Sequence, residues 1–241
     1  MDKEKIRGSL QGIVGSANVL WKDVDLAVYE YDAGLGRGKP SFVVFANDAD
    51  QVAAVVRFLS REGISYVARG SGTNLSGGTV PLNGGVVIEL SRMNRILEID
   101  PENQRAVVEP GVYNLTLQNA LAPKGYYYAP DPASQKVSSM GGNFGENAGG
   151  PHCLKYGVTS NHILGAEVVL PNGEKIWVGG KAADAPGPDF LGLLVGSEGT
   201  LGIATKILVR IMRSPERVVT MLAIFKSVEA AGQTVSDIIS E

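Results

Sequence analysis

The sequence predicts an α+β fold, an opening α/β unit followed by antiparallel hairpins, and three observations lead there. A strand, an amphipathic helix and a second strand follow one another between Phe42 and Ala68. Two pairs of apolar runs flank the turn sequences Pro101-Glu102-Asn103 and Pro171-Asn172-Gly173, a pattern typical of β-hairpins. Glycine supplies 31 of 241 residues, and it is clustered, which marks places where backbone meets something closely.

Taken in order, residues 1–38 hold a helix-like start and a polar, glycine-punctuated loop from Tyr29 to Gly38. Phe42–Phe45 is a short apolar strand. Val52, Val55, Val56 and Leu59 recur at helical spacing between Asp48 and Arg61, behind Asn47 or Asp48 as cap. A strand at Ser65–Ala68 leads into a glycine-rich turn, and Val86–Leu90 is the next strand. Ile96–Ile99 pairs with Ala106–Val108 as a hairpin, and Asn114–Ala122 is a short helix ended near Pro123 and Gly125. His162–Leu170 pairs with Glu174–Val178, Phe190–Val195 is a helical turn, and Leu201–Met212 is a long strand. Val218–Phe225 reads as a strand and Ser227–Ile239 as an amphipathic helix. The expected organisation is an N-terminal helix and loop (1–38), a main body (39–215) in subdomains 39–110 and 111–215, and the start of a further domain (216–241). One strand and one helix cannot bury a core alone.

Composition narrows the function. Hydrophobic residues at 44% and charged residues at 20% fit a globular protein with a real core. A net charge of −3 without any basic run favours neither nucleic acid nor an anionic membrane. Cys153 is the single cysteine, which excludes an internal disulfide framework and a multi-cysteine metal or iron–sulfur site within this sequence. No apolar stretch of about 18 residues occurs, so no intrinsic membrane segment is expected. Nor is there a basic leader with an apolar core, so the expected location is cytoplasmic.

The chemistry lies in the glycine clusters. The first is Arg69-Gly70-Ser71-Gly72-Thr73-Asn74-Leu75-Ser76-Gly77-Gly78, where successive backbone N–H groups can form a concavity for phosphate oxygens. The hydroxyls of Ser71, Thr73 and Ser76, the Asn74 amide and the Arg69 charge add binding capacity. It is not the dinucleotide loop G-x-G-x-x-G, because Leu75 occupies the place of the last glycine, and no Gly-Lys-Ser/Thr follows. The second cluster runs from Ser138 to Gly150, preceded by Ala129-Pro130-Asp131-Pro132, and the third is Gly196–Gly202. A tightly packed helix crossing would also account for the second cluster taken alone. Together the clusters suit a long, flat ligand threaded across backbone, and a flavin dinucleotide fits that need.

Arg69–Gly78, Pro130–Asp131, Ser138–Tyr156 ("SSMGGNFGENAGGPHCLKY") and Gly196–Gly202 ("GSEGTLG") resemble the flavin-binding half of the vanillyl-alcohol oxidase / p-cresol methylhydroxylase flavoproteins. Within that family the nearest likeness is to the FAD subunits of glycolate oxidase and to D-lactate and D-2-hydroxyglutarate dehydrogenases. The resemblance implies a two-subdomain FAD-binding domain, with residues 216–241 opening a truncated cap domain. It implies that Arg69, Gly70, Ser71, Gly72, Thr73 and Asn74 bind the FAD diphosphate. Pro130, Asp131, Ser138, Gly141, Gly142 and Asn143 would line the ribityl and diphosphate region. Asn147, Ala148, Gly149 and Gly150 would pass close to the flavin, and Gly199 and Ile203 would meet the adenosine. Gly77, Tyr156, Gly157 and Glu198 complete the implied cofactor contacts.

The implied reaction is FAD-dependent oxidation of a small 2-hydroxy acid, glycolate or D-lactate, to the 2-oxo acid. Thr73 stands where some members carry a flavin-linking histidine, which implies non-covalent FAD. Cys153 is read as a buried, unreactive thiol. The catalytic residues, including a metal-binding histidine motif, are expected beyond Glu241, so no metal site is expected here. His152 is the one catalytic candidate, near the flavin edge, and His162 reads as structural. Implied partners are an iron–sulfur electron-transfer subunit and, through it, peripheral membrane association. The competing reading is a FAD-holding electron-transfer subunit, or an inactive fragment, without its own substrate site. Lys181–Pro188 departs from the family pattern, which leaves that segment's contacts with flavin or substrate open.

Overall fold

The computed structural model describes residues 2–181 and 187–241. Helix α1 (Lys3–Val14), strand β1 (Val19–Leu20) and the short helix α2 (Asp23–Leu26) open the chain. They are followed by β2 (Phe42–Phe45), α3 (Ala49–Arg61), β3 (Tyr66–Arg69) and β4 (Val86–Glu89). Asp48 caps α3, its carboxylate accepting the Gln51 N–H at 2.8 Å, which satisfies one of the orphan donors of the first turn. The strands form a sheet in the order β1-β2-β4-β3. β4 runs parallel to both β2 and β3, while β1 is antiparallel to β2. Phe42–Phe45 and Val86–Ile88 are unbroken apolar runs because both faces of the sheet are covered. Leu10 of α1 and Val52, Val55, Val56 and Leu59 of α3 cover one face, and Leu26 packs on Val43 and Val87 on the other.

The second half contributes β5 (Ile96–Asp100), β6 (Arg105–Val108), α4 (Asn114–Leu121), β7 (Tyr126–Tyr127), α5 (Met140–Glu146) and α6 (Cys153–Tyr156). Then come β8 (Ile163–Val169), β9 (Lys175–Gly179), α7 (Phe190–Leu194), β10 (Ile203–Arg210), β11 (Met212–Arg213) and α8 (Val228–Ser240). An antiparallel sheet of order β5-β6-β10-β8-β9 is built around β10, the long strand. Leu117 and Leu121 of α4, Tyr128, and Met140 and Phe144 of α5 form its core with Ala166, Ile207 and Val209.

Two expectations change. The hairpin β5–β6 belongs to the second sheet, because Val107 and Val108 pair with Leu208 and Ile207 of β10; the sheets therefore divide between Glu89 and Ile96 and not at residue 110. Val218–Phe225 forms no strand. Val218, Met221, Leu222 and Ile224 are exposed, and a strand has no hydrogen-bonding partner to gain there.

The Pro171-Asn172-Gly173 turn locks the two sheets together. Gly173 takes φ +78° and lies so close to α3 that a Cβ would come within 2.7 Å of Arg57 Cβ. Arg57 Nη2 donates to the Gly173 carbonyl at 2.9 Å, and Ser60 Oγ donates to that of Pro171. This interlock fixes the subdomains on either side of the site.

Candidate functional site

A cleft of about 340 Å³ is lined mainly by three chain segments: the loop after β3, the α5 region and the residues leading into β10. They are the three glycine clusters. From the first, Arg69, Gly70, Ser71, Gly72, Thr73 and Asn74 line the cleft; from the second, Gly141, Gly142, Asn143 and Ala148; from the third, Glu198, Gly199 and Ile203. Ser76, expected from its hydroxyl, also lines the cleft, as do Ser139 and Glu146 of the second cluster; Thr79, Pro110 and Ser134 line it too and were not foreseen, since none belongs to a glycine cluster. Gly77, Pro130, Asp131, Ser138, Asn147, Gly149, Gly150, Tyr156 and Gly157 stand outside the lining. Residues 182–186 of the Lys181–Pro188 segment lie outside the described residues.

Among the described residues, no backbone N–H of residues 70–76 donates to a backbone carbonyl. A run of unused donors around Gly72, at φ +63°, is an arrangement suited to an anion. The side chains of this loop are largely committed elsewhere. Arg69 is buried, donates from Nη1 to the Tyr31 carbonyl at 2.7 Å and lies 5.6 Å from the Tyr29 ring centre. The Asn74 amide donates to Asp32 Oδ2 at 2.7 Å and accepts from Thr79 Oγ1 at 3.0 Å. The Ser76 hydroxyl bonds Glu146. Arg69 and Asn74 thus hold the loop in shape and leave its main-chain donors open.

The second cluster folds as α5 and the turn beyond it, and its Gly141 packs against a turn rather than against a crossing helix. Gly141 packs on Pro110, where a Cβ would lie 2.6 Å from the ring, while Gly141 and Gly142 also face the cleft. The first N–H groups of α5 are spent on Val112 O, Pro110 O and the Ser139 hydroxyl. Asn143 differs: it is buried, and its Nδ2 has no partner. A buried donor without a protein partner beside an open cleft is free to meet an acceptor from outside the chain. Ser138 Oγ is likewise buried and unpaired.

The clusters close on one another through absent side chains. A Cβ on Gly70 would overlap the Ser139 hydroxyl, and one on Gly78 would overlap the Glu198 carboxylate. Glu198 takes φ +53° and Asn147 φ +49°, positions that non-glycine residues rarely accept. Glu198 is held there by its N–H, which donates to Gly145 O at 2.9 Å.

Carboxylates dominate the electrostatics. Burial raises the Glu146 carboxyl above the usual range; Ser76 opposes this, and the charges of Glu198 and Asp32 add to it. Burial pushes Glu89, at the end of β4, up to about 7 despite the Ser91 N–H and the Arg69 charge.

Outside the cleft lining, His152 Nδ1 meets Asp131 Oδ2 at 2.7 Å. A Cβ on Gly150 would overlap the Asp131 carbonyl, and the Gly150 N–H donates to Cys153 Sγ at 2.8 Å. Cys153 is half-buried rather than fully enclosed. His162 is buried, donates from Nε2 to Tyr156 O at 2.9 Å, and leaves Nδ1 unpaired. Burial lowers its pKa.

A family model described as an FAD binding domain matches residues 40–179, more than half of the chain. The chain therefore belongs to this family of FAD-binding domains. It is 44% identical over 242 residues to the glycolate oxidase subunit GlcD of Bacillus subtilis, covering 100% of this chain and 52% of that protein. It is 35% identical over 212 residues to a D-lactate dehydrogenase of Anaerostipes hadrus, covering 88% of this chain and 43% of that enzyme. Among solved structures, substrate-bound p-cresol methylhydroxylase superposes with a TM-score of 0.75 at 25% identity, over 89% of this chain and 44% of that one. The chain spans about half the length of the curated relatives it matches. No helix among the described residues is long and apolar enough to cross a membrane.

Proposed function

We propose that the cleft holds FAD without a covalent bond, and that the intact protein uses it to oxidise a small 2-hydroxy acid, glycolate or D-lactate, to the 2-oxo acid. The observation that carries the reading is the run of unused N–H donors at residues 70–76, facing a cleft in a chain of the FAD-binding family. In this reading, the main chain of Gly70–Asn74 holds the diphosphate, and Asn143 Nδ2 supplies a further donor. Pro130, Asp131 and Ser138 support the segments beside it, Asn147–Gly150, Tyr156 and Gly157 shape the flavin end, and Gly77, Glu198, Gly199 and Ile203 shape the adenosine end. Thr73 carries no group that would bond to a flavin ring. Bound flavin supplies the two-electron oxidant; the protein binds it, orients it and handles the proton.

The relatives named glycolate oxidase subunits and D-lactate or D-2-hydroxyglutarate dehydrogenases support the substrate class. The term subunit in those names supports a partner, here an iron–sulfur electron-transfer protein, in the cytoplasm or at a membrane surface. Residues 216–241 then begin the cap over the flavin, which supplies the remaining substrate contacts. The test is anaerobic addition of glycolate or D-lactate to the FAD-loaded intact protein, with bleaching of the flavin absorbance expected. A flavin band unchanged by every 2-hydroxy acid sinks the dehydrogenase reading and leaves a FAD-holding subunit.

A further inference from the structure

We infer that Asp32 is a positioning residue for the cofactor: through it, the strap formed by residues 29–38 holds the loop after β3 in the shape that presents its main-chain donors. What those donors bind rests on the function proposed above. A loop of this kind faces a conflict. Its N–H groups must stay unspent to meet a ligand, yet backbone hydrogen bonds are what ordinarily hold a chain segment in one conformation. Among the described residues, no N–H of residues 70–76 donates to a backbone carbonyl, so the loop must be ordered by other contacts.

Residues 31–34 supply them. The Tyr31 carbonyl accepts Arg69 Nη1 at 2.7 Å, and Arg69 lies against Gly72, where a Cβ would overlap its guanidinium. The Ala33 N–H donates to the Asn74 carbonyl at 3.1 Å. Gly34 passes so close that a Cβ would stand 2.9 Å from the Leu75 carbonyl oxygen. Asp32 is buried between them. Its Oδ2 accepts the Asn74 amide at 2.7 Å, and its Oδ1 accepts the Gly34 N–H, also at 2.7 Å. One side chain thus fixes both the turn of the strap and the loop it holds.

The position requires this side chain. Two donors converge on Asp32, one per oxygen, and a carboxylate accepts on both. An asparagine there would set an NH2 group against one of the two donors. Because a carboxylate only accepts, Asn74 turns its Nδ2 toward Asp32 and its Oδ1 toward Thr79, whose hydroxyl donates at 3.0 Å. Asp32 therefore orients a chain of side chains whose other members, Asn74 and Thr79, line the cleft, while Asp32 itself stands outside the lining. The strap also lies outside residues 40–179, the part that matches the FAD-binding family model. A loop held in shape beforehand is spared the ordering cost at the moment of binding. A residue that never touches the ligand strengthens affinity in this way.

FAD titrations and amide NMR spectra of the protein test this. Asp32→Asn should weaken FAD binding by about tenfold or more. In the ligand-free protein it should broaden or split the amide resonances of residues 70–76 and leave those of the sheet cores at wild-type positions. Asn74→Ala should weaken binding too, and the double variant should fall well short of the summed losses, since both changes break one hydrogen bond. If Asp32→Asn fails to fold, Gly34→Ala takes its place, because it presses a methyl from the same strap onto the Leu75 carbonyl; the same loss of affinity and of loop order is expected. Wild-type affinity in whichever variant folds, losses that add in full, or unchanged ligand-free resonances of residues 70–76 overturns the inference. Failure of the wild-type protein to bind FAD refutes the proposed function instead, and the ligand-free spectra then still decide whether Asp32 holds the loop.

Discussion

The Ser76 hydroxyl bonds both carboxylate oxygens of Glu146, at 3.0 and 2.8 Å, joining residues 70 positions apart in the chain. One belongs to the loop after β3 and the other to the last turn of α5. The contact thus ties the first glycine cluster to the second across the cleft. Ser76→Ala should cost about 1 kcal/mol of stability, read as a drop in Tm. Because Ser76 opposes the burial of the Glu146 charge, the Glu146 carboxyl should titrate still higher in the variant, as carboxyl carbon-13 shifts would show.

Asn143→Leu should separate stability from binding. The Asn143 Nδ2 is buried without a partner, so an apolar side chain of similar volume should leave the apo protein as stable or slightly more so. If the amide serves FAD, affinity should fall by about tenfold or more, the worth of one hydrogen-bond donor left unreplaced. Equal losses of stability and affinity would assign Asn143 to the fold alone.

Gly72→Val acts on the loop directly. A side chain at φ +63° is strained, and its Cβ would overlap the Arg69 guanidinium. The clash should release Arg69 from the Tyr31 carbonyl and scatter the N–H groups of residues 70–76. We expect FAD binding to be lost while far-ultraviolet circular dichroism stays native, since the sheet cores lie elsewhere. Retained affinity would remove the loop from the site.

Glu89 governs a pH dependence of stability. It stands opposite Arg69 on the adjacent parallel strand, is 4% exposed, and titrates near 7 against an ordinary 4.5. A folded pKa raised above the unfolded value means that the protonated form favours folding. The contribution is fully present below about 4.5 and is lost as pH rises through about 7. Glu89→Gln should therefore stabilise the protein at pH 8 by up to about 3 kcal/mol and do little at pH 4. Denaturant titrations at the two values check the sign. Equal effects at both would show that the carboxyl is not held neutral by burial.

The backbone of this fold was largely legible, and the division of labour within the site was not. Val52, Val55, Val56 and Leu59 announced α3, and Pro171-Asn172-Gly173 announced the β8–β9 turn, because period and turn chemistry are local. The strand expected at Val218–Phe225 failed because strand formation depends on a neighbour, and an apolar run does not supply one. The β5–β6 hairpin was recognised, yet its sheet was set by pairing with β10, far along the chain. In the site, glycine clusters marked the cleft because close approach needs missing side chains. Arg69 and Asn74 looked like ligand-binding groups, but Tyr31 and Asp32, from a distant loop, claim them. The Asp131–His152 pair was hidden for the same reason: each residue was visible, but their meeting depends on how Gly150 lets two segments touch.

Main-chain donors of residues 70–76 are proposed to hold the cofactor's diphosphate. Proton–nitrogen NMR spectra of the protein titrated with FAD test it most directly. Saturable downfield shifts of the amide protons of residues 70–76 are expected, as unused donors acquire anionic acceptors. Saturable FAD binding that leaves those amides unmoved, or no binding at all, would contradict it.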